Sequence, residues 1–289
     1  MTIYTKTARF DGTARALTED ELRSFAPSVF AIDKHESRSD RFRPIPTIEI
    51  IRGLAKEGFS VVGAQQSNAR DASRVNHTKH MLRIRKLDDD RVNSVGDVVS
   101  EMILKNANDG TSVYDLMAGL FRVRCANSLV VQVSTIDSVK VRHSGDVMTK
   151  VIEGTYSVIN GACAALEAPA LWSGIELDRD ERRIFAEAAH VMRFGDEDGE
   201  VHTPIQPHQL LSARRVDDMG HDLWKTFNVA QENVIRGGLQ GVGRDANNRT
   251  RRVTTRSVNG IDQTVKLNKA LWLLADKMAE LKGSKSLTA

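Results

Sequence analysis

Arginine offers the most chemistry in this sequence, and it recurs in two patterns. From Arg236 to Arg256 there are six arginines, Arg236, Arg244, Arg249, Arg251, Arg252 and Arg256, against one acid, Asp245. Earlier, Arg83/Arg85 and Arg122/Arg124 take every second place in their stretches, and Lys140 and Arg142 follow with His143 beside them. A guanidinium is a permanent cation whose planar fork of donors matches phosphate oxygens. Arginines gathered on one surface therefore suit a nucleic-acid backbone, where each contact releases counterions. The alternative is a solvated charged loop.

Other chemistries find less support. His77/His80 and His202/His208, with Cys125 and Cys163, are the only candidates for metal ligands, and they read better as surface histidines in polar loops and buried apolar cysteines. No nucleophile signature surrounds either cysteine, and no GxSxG occurs. The stretch IRGGLQGVGRDA contains GxxGxG, but a phosphate cradle follows a strand and opens a helix, whereas these glycines follow a helix. They read as helix termination and a flexible, arginine-rich loop. The one dense acidic run, Asp88-Asp89-Asp90, reads as a solvated hairpin turn rather than a magnesium site. Asn106, Asn108, Asn127 and Asn228 are expected to cap turns rather than read bases. No catalytic residue, metal or cofactor is expected.

These residues need elements to position them. Residues 1–58 read as an N-terminal arm with short helices, one opened by Thr18 in TEDELRSF and one carrying Ile50, Ile51, Leu54 and Ala55 up to Gly58. From Phe59 the period changes to two: FSVVGAQQS, HMLRIRKL, DVVSEMILKNA, MAGLFRVRCANSLVVQV and SVKVRHS are separated by Asp, Asn and Gly clusters. An antiparallel meander over 59–144 follows, with one apolar face and one guanidinium-lined face. Residues 145–289 read as mostly helical. In LDRDERRIFAEAAHVMRF the inward stripe is Leu177, Ile184, Phe185, Ala188 and Met192; in the last helix it is Leu267, Leu271, Leu274, Met278 and Leu281. A further helix stops at Gly237-Gly238. The fold class is α+β, with 59–289 forming one compact core.

Composition sets the outer bounds. The 289 residues are 40% hydrophobic and 27% charged, ordinary globular values that require no disulfide staples. Aromatic residues at 5% are few, so base stacking is thinly provided: Tyr114 and Phe121 lie near the sheet, while Trp224, Phe227 and Trp272 sit on apolar helix faces and belong to the core. A net charge of +3 is too small to decide a partner. No apolar leader or spanning stretch is visible, and a cytoplasmic protein without membrane contact is expected.

Several segments together resemble the bacterial family known as domain of unknown function 932, found largely on plasmids, prophages and phages. They are KHMLRIRK, NANDGTSVYDLMAGLFRVRCANSLVV, VRHSGDV, LWKTFNVAQENVIRGG and VKLNKALW, spread over roughly residues 75–280. The resemblance implies a role in mobile-element biology and carries no settled activity. At the level of topology, a meander backed by a helix also looks like the core of Rad52-type annealing proteins, which implies ring or filament assembly of like copies. The expected function is single-stranded DNA binding, with annealing as its extension in recombination. Arg83, Arg85, Arg122, Arg124 and Arg142 would touch phosphates from the sheet, sharing one positive surface with the 236–256 tract. The alternative is a protein-interaction module acting on a host defence complex, marked by an exposed apolar patch.

Overall fold

The computed structural model describes residues 15–69, 71–86, 98–122, 129–130, 139–144, 150–151, 153–155, 158, 167–244 and 249–284. Two compact units divide the chain, Met1–Leu166 and Glu167–Ala289. Helical residues 150–151, 153–155 and 158 bury Val151 and Val158 in the same cluster as the sheet.

In the first unit the arm opens with α1 (Glu19–Phe25), started by a reciprocal cap: Thr18 Oγ1 accepts from Glu21 N, and Thr18 N donates to Glu21 Oε2 at 2.9 Å. Helix α2 (Thr47–Lys56) buries Ile48, Ile50 and Leu54 and leaves Ala55 exposed. It ends at Gly58, whose φ of +83° is the left-handed conformation glycine adopts without strain.

The sheet is the antiparallel meander that the period-2 runs predict. Strands β1 (Phe59–Gln66), β2 (His80–Lys86), β3 (Val98–Asn106) and β4 (Tyr114–Arg122) pair in chain order, and β5 (Leu129–Val130) and β6 (Val139–Val141) both pair with β4. Cross-strand partners Val61↔Ile84, Leu82↔Leu104 and Leu104↔Leu116 set one apolar face. Leu22, Val29 and Ile45 of the arm join that face in the core.

At the end of β2 the same face turns polar. His80, fully buried, pairs with Asn106 in register and bridges Ser28 Oγ at 2.8 Å and Thr47 Oγ1 at 2.9 Å. Asn106 Nδ2 donates to Ile45 O and Thr47 Oγ1, while Asn108 Oδ1 accepts from Ile45 N. His80 is therefore a buried strand residue rather than a loop histidine. Asn106 and Asn108 fasten the arm to the sheet instead of capping turns.

The second unit holds α3 (Ala168–Ser173), α4 (Arg179–Phe194), α5 (Leu223–Arg236), α6 (Ile261–Leu281) and a two-stranded ribbon, β7 (Gln240–Arg244) with β8 (Thr250–Thr254). Trp172, Phe227 and Trp272, all fully buried, meet Trp224 at its centre, with ring centroids 4.3–6.1 Å apart. Such pairs add about 0.5–1.5 kcal/mol each beyond burial. Helix α5 is buried from Leu223 to Ile235 apart from Lys225. Three of its buried polar side chains are paired: Gln231 donates to Asn268, Asn233 to Leu210 O and Ser212 O, and Asn228 to Trp224 O within the helix.

The expected stripe of α4 is rotated, and that of α6 holds at Leu267, Leu271 and Met278 but not at its last residue. On α4 the buried residues are Phe185, Ala186, Ala189 and His190, whereas Ile184 is 51% and Met192 37% exposed. His190 bonds Ile205 O at 2.7 Å, and the small alanines beside it allow close approach. On α6, Leu281 lies in the final turn and is 82% exposed. Among the described residues no helix is long and apolar enough to cross a membrane.

Candidate nucleic-acid interface

The arginine tract is a folded ribbon rather than a flexible loop. Helix α5 ends where Gly237 and Gly238 adopt φ of +66° and +82°, reversing the chain into β7. In the β7–β8 register, Gly241↔Val253 and Gly243↔Arg251 share one face, and Gln240↔Thr254, Val242↔Arg252 and Arg244↔Thr250 share the other. A Cβ on Gly241 would meet the Pro204 carbonyl oxygen at 2.9 Å, and one on Gly243 the Pro204 ring at 3.4 Å. Glycine at alternate places thus lets one face rest on the Pro204 segment. The other face presents Arg244 and Arg252 to solvent around Val242, which is 65% exposed.

The base of the ribbon is braced by two arginines absent from the sequence expectations. Arg193 donates to Val234 O at 3.1 Å and Arg256 O at 3.0 Å. Arg214 donates to Asn233 Oδ1 at 2.8 Å and to Gly237 O. They satisfy carbonyls left open at the end of α5, where a positive charge also suits the helix dipole. Nothing in their sequence neighbourhood distinguishes them from surface arginines.

Within the tract, Arg251, Arg252 and Arg256 are exposed with no ion-pair partner among the described residues. Arg244 and Arg249 are exposed as well. Arg236 is different: it bonds Glu232 at 3.0 Å, and Glu232 also holds Arg215.

The sheet arginines do not form a cationic face. Arg83 and Arg85 are 7% and 6% exposed, and both donate to the buried carboxylate of Glu101. Burial pulls the Arg83 pKa down, and the Glu101 charge opposes it. Gly63 sits opposite Arg83, and its missing side chain leaves room for the guanidinium stem, 3.3 Å from where a Cβ would stand. Arg83 and Arg85 therefore present no solvent-facing positive surface, contrary to expectation. Arg124 and the side chain of Arg122 lie outside the described residues, as do Asp88-Asp89-Asp90, Asn127, Cys125 and Cys163.

Arg142 is exposed at the end of β6 and lines a cleft with Arg38 and His143. Arg41 and Arg43 of the arm are also exposed, without ion-pair partners among the described residues. Arg38, Arg41 and Arg43 escaped the sequence reading, although RSDRFR offers a signal in its arginines around Phe42.

Of the other histidines, His77 is half-buried and His208 exposed. His202 is exposed with Asp196 and Glu200, their ligand atoms within 4.8 Å of one another. Asp196 Oδ1 already accepts from the amides of Asp198 and Glu200, so this group reads as an acidic turn paired with a surface imidazole.

Residues 34–272 match the family described as domain of unknown function (DUF932). The UPF0380 protein YafZ of Escherichia coli (strain K12) is 43% identical over 264 residues, covering 91% of this chain and 92% of that protein. The UPF0380 protein YfjQ of the same strain matches with the same identity and coverage. No solved structure matches, and the likeness to Rad52-type proteins finds no support.

Proposed function

This chain belongs to the DUF932 family, and since membership assigns it no chemistry, we propose from the geometry that it binds single-stranded DNA along the phosphate backbone. The observation that carries the reading is the ribbon, docked through its glycines and exposing Arg244 and Arg252 on one face. A flexible strand can lay successive phosphates against such a face without a groove of fixed width. The ribbon bears no aromatic side chain, so base stacking adds little and binding tolerates any sequence. The test is a salt titration of the purified protein with a labelled single-stranded oligonucleotide and its duplex. Salt-sensitive binding that favours the single strand is expected, and no binding at low salt would overturn the reading.

A second reading, a protein-interaction module, is favoured by one observation. Ile184, Val191 and Met192 are 51%, 46% and 37% exposed along α4 at helical spacing, leaving an open apolar stripe. An Ile184→Asp/Val191→Asp variant would then lose capture of a protein partner while keeping DNA affinity.

A further inference from the structure

The first unit holds a cleft of ≈ 470 Å³ between the arm, the turn after β3 and the end of β6. Arg38 and Arg142 reach it from different elements, and no carboxylate among the described residues lines it. Gly110 in the turn has φ +78°, and a Cβ there would stand 2.8 Å from Arg38 Nη1. The glycine therefore serves both the turn and the guanidinium lying across it. Arg38 Nε donates to Ser37 Oγ, and its two terminal nitrogens have no acceptor among the described residues. Arg142 has none either.

The nearby acids are already engaged. Asp109 is buried and accepts at Oδ1 from Thr111 N at 2.9 Å and Thr111 Oγ1 at 2.6 Å. Asp40 bonds Lys34 at 2.6 Å. His143, 8% exposed, stacks on Phe42 with ring centroids 4.4 Å apart and planes 13° from parallel. Its Nδ1–H donates to Arg43 O at 2.9 Å, and Nε2 is buried with no hydrogen bond among the described residues. Burial lowers its pKa, and the backbone carbonyls of Arg43 and Ser112 oppose the shift.

Two unpaired guanidinia and the Ser144 hydroxyl describe a site for a compact dianion. The geometry points to a phosphate monoester, held by Arg38 and Arg142, as the ligand of this cleft. A phosphomonoester offers three oxygens for two guanidinium forks, and the cleft has the volume of a nucleotide-sized site. Free nucleotides and 5′-phosphorylated strand ends share this chemistry. The site is separate from the ribbon and does not depend on it.

Calorimetry on the full chain tests this with a nucleoside 5′-monophosphate, a 5′-phosphorylated dinucleotide and, as a carboxylate control, malonate. Arg38→Gln and Arg142→Gln are the variants, checked for unchanged melting. Binding of either phosphate ester that weakens at least tenfold in each variant supports the site, and the better ligand identifies the source. Equal binding of malonate, equal binding in the variants, or no binding of either ester at low salt overturns it. An Arg251→Ala/Arg252→Ala/Arg256→Ala variant should keep full monophosphate affinity, which separates this site's failure from that of the ribbon.

Discussion

Glu101 holds Arg83 in a bidentate pair inside the sheet, with Nε to Oε2 at 2.6 Å and Nη2 to Oε1 at 2.9 Å, the carboxylate wholly buried. Arg85 shares Oε1 from the neighbouring pleat. Removing the acid leaves two cations buried without compensation, which costs about 3–5 kcal/mol. Glu101→Ala should lower the urea midpoint sharply. Arg83→Met/Glu101→Leu/Arg85→Met, with no buried charge, should recover most of the loss.

His80 makes stability depend on pH. Complete burial holds its folded pKa at about 4, below the ordinary 6.5, with the Thr78 backbone and then the Asp109 charge opposing. As pH falls from about 6.5 to 4 the unfolded chain takes up the proton first, so stability is full above that window and is lost through it. The shift corresponds to about 3 kcal/mol. His77 and His143, also lowered by burial, act in the same sense. Denaturation across pH 4–7.5 should show this slope, and His80→Gln should flatten much of it.

Gly241 fixes how the ribbon rests. A methyl there would press on Pro204 backbone atoms 2.9–3.0 Å away, which cannot swing aside as a side chain can. Gly241→Ala should cost about 1–3 kcal/mol. Faster amide exchange in Gln240–Arg244, with little change around the Trp172 cluster, would mark a ribbon lifted from its seat.

Arg251, Arg252 and Arg256, without ion-pair partners among the described residues, should appear in the salt dependence. Each phosphate contact on a single strand adds about −0.7 to the slope of log K against log salt. Arg251→Ala/Arg252→Ala/Arg256→Ala should therefore weaken binding uniformly across sequences and make the slope less negative by about 2. An unchanged slope would remove the ribbon from the interface.

Trp172 touches three aromatic rings and is fully buried. Trp172→Ala should cost about 3–5 kcal/mol through lost burial and the cavity left behind. Thermal unfolding should report the loss.

Wherever a local signal is enough, sequence and structure agree. The alternation in HMLRIRK and DVVSEMILKN makes paired strands because successive side chains must face opposite ways. Thr18 with Glu21 starts a helix, and Gly237-Gly238 stops one, because caps and positive φ are decided within a few residues. The apolar spacing of Trp224, Phe227 and Trp272 likewise gives their burial.

What a charged residue faces was decided only in three dimensions. Arg83 and Arg252 both stand in short β stretches rich in arginine, yet one is sealed against Glu101 and the other is open to solvent. Glu101 lies 18 residues from Arg83 and meets it only through the β2–β3 register. Arg38 and Arg142, 104 positions apart in the chain, reach one cleft because the arm folds over the turn beside β6. Periodicity is a property of neighbouring residues, so the sequence determined the elements and their caps. Charge compensation depends on which strands and loops come together, and the tertiary structure alone determined which arginines remain free to bind.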